Sequence, residues 1–143
     1  MMMHTQLVGN ETSKVQENGR FLRRVLRGNA VFSLLSAALF ILAANPLAEF
    51  LGVPYSAAFM VMGVGFLPFG WFCYWTANQP EISRTRALII LELDLVWVVG
   101  SFLILFFGWL PLTTAGKWAV GLTAEAVAVF AILEFIGLRQ LKK

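Results

Sequence analysis

Residues 87–109 read ALIILELDLVWVVGSFLILFFGW, apolar except for Glu92, Asp94 and Ser101. At about 1.5 Å of rise per residue, a helix of this length extends about 34 Å, enough to cross the roughly 30 Å hydrocarbon layer of a bilayer. The stretch reads as a membrane span, and three further apolar stretches flank it. On the N-terminal side these are residues 28–44 and 55–77, and on the C-terminal side residues 118–138. Asn45-Pro46 stops the first, and Leu47 to Pro54 reads as a half-buried interfacial turn. Pro68 is expected to kink the second, while NQPEISRTR at 78–86 and PLTTAG at 111–116 supply polar or tight connections.

The composition agrees. Of 143 residues, 59% are hydrophobic and 13% charged, too few polar side chains to cover a water-soluble globule. The fold expected is all-α: an antiparallel four-helix transmembrane bundle, preceded by an N-terminal basic amphipathic interfacial helix. Residues 1–19 are polar and without periodicity, and read as a disordered cytoplasmic tail; residues 20–143 form one transmembrane domain. Within 20–27, Arg20, Arg23, Arg24 and Arg27 fall on one helical face opposite Phe21, Leu22, Val25 and Leu26. This pattern suits a helix lying in the headgroup layer with its arginines on lipid phosphates, and Gly28 offers a break before the first span.

Ten of the eleven basic residues fall in the N-terminal segment, the 78–86 loop or the C-terminal tail, leaving Lys117 alone between the third and fourth spans. The positive-inside rule then places both termini in the cytoplasm of a multi-pass inner-membrane protein. A single Cys73 and a single His4 make no structural metal site, and Cys73 lacks a base to activate it, so neither an enzyme nor a bound cofactor is expected. The basic residues adjoin spans instead of stacking aromatics, so the partner expected is lipid and not nucleic acid. Trp71, Trp75, Trp109 and Trp118 lie near span ends, as an interfacial belt does.

Small residues mark where helices can approach. Ser56, Gly63, Gly70 and Ala77 recur every seven residues in the second span; Gly121, Ala124, Ala128 and Ala131 line the fourth, and Ser33, Ser36 and Ala37 the first. A shift of 65 residues lays Asn29 on Asp94, Val31 on Val96, Ser36 on Ser101 and Pro46-Leu47 on Pro111-Leu112, the correspondence a duplicated helical hairpin produces. The same shift sets Ser56 on Gly121 and Gly63 on Ala128.

Glu92, Asp94, Glu125 and Glu134 lie inside spans, where an uncompensated carboxylate costs about 2.5–3.5 kcal/mol on insertion scales. Helical rotation puts Asp94 on a face with Trp97 and Ser101 and turns Glu92 nearly the opposite way, toward Arg84 or Arg86. Glu125 shares its face with Gly121 and Ala128, where another helix is expected close by. The candidate intramembrane polar network is therefore Asn29, Glu92, Asp94, Trp97, Ser101, Glu125 and Glu134. It can serve as interhelical glue, with Asp94 bonded to Asn29, Arg24 or Arg27 and Glu134 to Arg139 or another span, or as a relay for protons or cations.

The segments AVFSLLSAALFILAANPLAEFLGVP (30–54), LELDLVWVVGSFLIL (91–105), PLTTAGKW (111–118) and GLRQ (137–140) resemble a family of small bacterial inner-membrane proteins with four spans and no assigned activity. The resemblance implies fold and location, and no reaction. The function expected is that of a non-enzymatic accessory or structural component acting through helix contacts in a larger membrane complex. The other reading is a small proton-coupled carrier or channel acting as a homo-oligomer.

Overall fold

The computed structural model describes residues 2–141, and the side chains of residue 6 and residues 19–141. Among these there are five helices and no strand: α1 (Met2–Leu42), α2 (Ala44–Leu51), α3 (Ser56–Ala77), α4 (Arg84–Phe107) and α5 (Thr114–Leu141). Four are long and apolar enough to cross a membrane, α1 contributing Gly19–Leu42. The chain is a multi-pass helical bundle.

Local chemistry sets the ends. Ser83 caps α4 by accepting from the Arg86 N–H (3.4 Å), and Thr113 opens α5 by accepting from the Gly116 N–H (2.9 Å). Gly52 and Gly108 close α2 and α4 in the left-handed conformation (φ 79° and 62°) that a side chain disfavours. Pro46 sits in the first turn of α2, where its missing N–H costs little, and α3 remains helical through Pro68.

α1 differs from expectation. It runs unbroken through Gly28, and residues 2–19, read as a disordered tail, continue the same helix. Once a span has nucleated a helix, adding residues is far cheaper than starting one. Nor does the 20–27 segment form a separate helix set apart from the bundle. Leu22 and Leu26 are fully buried in the core with Cys73, Ala87, Ile90 and Leu138. Its arginines turn to protein: Arg23 Nη2 donates to the carbonyls of Gln79 (2.8 Å) and Pro80 (3.2 Å), and Arg27 Nη2 to Asn78 Oδ1 (2.9 Å). These acceptors lie just past the C-terminus of α3, where the helix dipole favours a cation. Arg20 and Arg24 alone of the four find no acceptor among the described residues; both are exposed. Of the other basic groups read from sequence, Lys142 and Lys143 lie outside the described residues, as does the Lys14 side chain.

Around the bundle the order is α1, α3, α4, α5, with α1 opposite α4 and α3 opposite α5. The seams work at α1. A Cβ on Gly63 would stand 2.8 Å from Ile41 Cγ1 and 3.0 Å from the Ala37 carbonyl, and one on Gly70 2.8 Å from Leu34. Close packing therefore joins α1 to α3, running in opposite directions because residues 63 and 70 meet 41–37 and 34–30. On the other flank a Cβ on Gly28 would meet Phe130 at 3.2 Å and one on Gly137 would meet Leu22 at 3.0 Å, so α1 and α5 also close up. In the 65-residue correspondence, Gly28 and Gly137 fall on Leu93 and Phe72. With bulky residues at those positions α3 and α4 touch little. Far from the arginines the bundle is clasped: Thr113 donates its N–H to the Leu51 carbonyl (3.0 Å) and its hydroxyl to that of Phe50 (2.6 Å).

Candidate functional site: a buried amide between two acids

Asn29, on the bundle-facing side of α1, lies at the centre of the site. Its Nδ2 donates to Asp94 Oδ2 on α4 (2.6 Å) and to Glu134 Oε1 on α5 (2.7 Å), and its Oδ1 accepts from Ser33 Oγ one turn on (3.2 Å). Asn29, Ser33, Asp94 and Glu134 are all buried, Glu134 completely. One amide thus ties three helices together and uses both of its N–H groups on carboxyls. Glu134 Oε2 is buried without a hydrogen-bond partner, and so is Thr76 Oγ1 on α3. No Lys or Arg among the described residues bonds to either acid, so Asn29 stands where Arg24, Arg27 or Arg139 were possible partners. Asn29 and Asp94 are also the pair that the 65-residue correspondence superposes, meeting across the bundle from opposite helices.

Other members of the sequence-derived network lie elsewhere. Ser101 is buried but turns its hydroxyl onto the Trp97 carbonyl of its own helix (2.8 Å). Glu92 is exposed and forms no bond to Arg84 or Arg86; the Arg86 guanidinium lies over the Trp75 ring at 4.1 Å. Glu125, expected against a neighbouring helix, is exposed on the bundle's outer face. The reason is rotational: Ala124, Val127, Ala131, Glu134 and Leu138 form the inner stripe of α5, and residue 125 lies about 100° from residue 124.

Beside the amide, where α3 and α4 stand apart, is a cavity of about 310 Å³. Asn29, Ser33 and Asp94 give it one polar corner, Ser36 and Thr123 add hydroxyls, and Phe32, Phe40, Phe66, Phe69 and Trp97 supply most of the apolar wall. The rings touch in series, Phe40 to Phe66 at 5.6 Å between centroids and Phe66 to Trp97 at 5.0 Å. Gly65 and Leu93, also on its wall, are exposed on the outer surface. Sequence reasoning missed this aromatic lining and Ser33's bond to Asn29. The only signal was spacing: Ser33 follows Asn29 by four residues, and Phe66 and Phe69 share a face of α3.

Comparison of the chain with protein-family models, curated proteins and solved structures finds no match. The functional reading rests on the site.

Proposed function

We propose that the chain is a small proton-coupled carrier of the cytoplasmic membrane, working at the Asn29, Asp94 and Glu134 cluster. The observation that carries the reading is one amide nitrogen donating to two carboxyls on separate helices, with one of the acids on a cavity wall. Two ionised carboxylates around one amide, away from water and from any cation, repel strongly; a single proton held between them relieves it. A cluster that needs a proton, beside a space a solute can fill, suits exchange of one for the other. The arginines gathered at one end support an orientation with both termini cytoplasmic. Liposomes holding the purified protein and an internal pH dye should show proton movement when small lipophilic solutes, charged or neutral, are added outside. Glu134→Gln should lose that movement while eluting unchanged in gel filtration. Wild-type liposomes indistinguishable from empty ones for every solute would remove the reading.

One observation favours the accessory role instead. Glu125 faces outward near mid-span, within an exposed stripe of Trp118, Leu122, Val129, Ile132 and Ile136 spaced alternately four and three residues apart. That spacing is a helix-pairing seam, and a carboxyl in it calls for a polar partner on another span. Under this reading, purification in mild detergent brings down a larger complex that Glu125→Leu releases; a homogeneous single chain counts against it.

A further inference from the structure

We infer that the cavity between α3 and α4 binds a small lipophilic monocation, an organic ammonium with an apolar body, with Asp94 as its counter-ion. The inference names the solute class of the carrier; binding stands on the cavity alone, and only the transport step after it rests on the carrier reading. At about 310 Å³ the cavity stands at the lower end of the roughly 300–1,000 Å³ found for small-molecule sites. Its wall is chiefly apolar, which sets aside sugars and other heavily hydroxylated solutes. Asp94 is the one ionisable residue on that wall, and no Lys, Arg or His accompanies it, so an anion meets no countercharge. A cation meets a carboxyl and, around it, the rings of Phe66, Phe69 and Trp97, whose faces attract positive charge. Charge is confined to one corner, at Asp94 beside Asn29 and Ser33; the other polar side chains on the wall are Ser36 and Thr123, the latter's hydroxyl donating to the Ala119 carbonyl. That leaves room for one charged head and an apolar remainder.

The matched probes are benzyltrimethylammonium and neopentylbenzene, which share a shape and differ by one charge. Equilibrium binding of radiolabelled benzyltrimethylammonium to the full chain in nanodiscs of zwitterionic lipid should saturate at one site per chain. Neopentylbenzene should compete at least roughly tenfold less well, and Asp94→Asn should weaken the cation by roughly tenfold or more. Gly65→Trp, which places an indole on the cavity wall where a Cβ meets nothing within 4 Å and leaves the carboxyls in place, should abolish binding, and it tests the site even where Asp94→Asn fails to fold. The inference falls if the uncharged probe binds as well as the cation, as an apolar pocket for a neutral body or a lipid tail would have it. It falls equally if Gly65→Trp leaves binding intact. A protein that binds the cation but moves no protons in liposomes keeps the inference and loses the carrier; one that moves protons and ignores the cation does the reverse.

Discussion

Asn29 is asked to serve two acids at once, and substitution separates its roles. Asn29→Leu removes the amide that donates to both Asp94 and Glu134 and should cost about 1–3 kcal/mol, seen as a lower thermal midpoint in detergent. Glu134→Gln keeps a group that can both donate and accept, and should stay within about 1 kcal/mol of the parent in the same measurement. Equal losses in the two variants would show that burial alone, and not the donor, holds the cluster. At this scale part of the site was legible: four acids among apolar residues stand out in any reading, and rotation alone turned Asp94 inward and Glu92 outward. Glu125 was misplaced because its neighbours Gly121 and Ala128 are small, and smallness indicates where a helix can approach without saying that one does.

The glycines of α1's neighbours carry the packing, and each predicts what a side chain there would do. Gly70→Leu drives carbon into Leu34 and toward the Ala30 carbonyl, and should destabilise the bundle by about 1–3 kcal/mol through overpacking. Gly65→Ala and Gly100→Ala meet nothing within 4 Å and should leave stability unchanged or slightly raised. The check is the thermal midpoint in detergent, which should fall only for Gly70→Leu. The four spans were readable because each is a long apolar run, bounded by Pro, Gly or charge. The continuity of α1 was not, since the arginine-studded face of 20–27 has the same pattern whether it lies in headgroups or docks on the end of α3. Only the position of Asn78 and the carbonyls after it decides, and no local pattern contains that.

For the molecule as a whole, the 65-residue correspondence is obeyed on one flank and broken on the other. Glycines close α1 onto α5, while Leu93 and Phe72 stand at the corresponding positions of α4 and α3, which touch little, and the cavity opens on that flank. The sequence left Asn29, Arg24 and Arg27 as partners for Asp94, and only the packed helices choose Asn29, with Arg27 turned to Asn78 and Arg24 exposed. Both ends of the bundle are tied, by Arg23 and Arg27 to the 78–80 loop and by Thr113 to Phe50 and Leu51, so the free way in is sideways. A solute arriving there comes from oil, and its local abundance is fixed by how it divides between oil and water before any protein contact is made. Across a homologous series of alkyl ammonium ions, each added methylene should raise the association rate at a fixed aqueous concentration about fourfold, the worth of about 0.8 kcal/mol of transfer, even where the methylene touches nothing in the site. An association rate that stays flat along the series would mean that the solute enters from water.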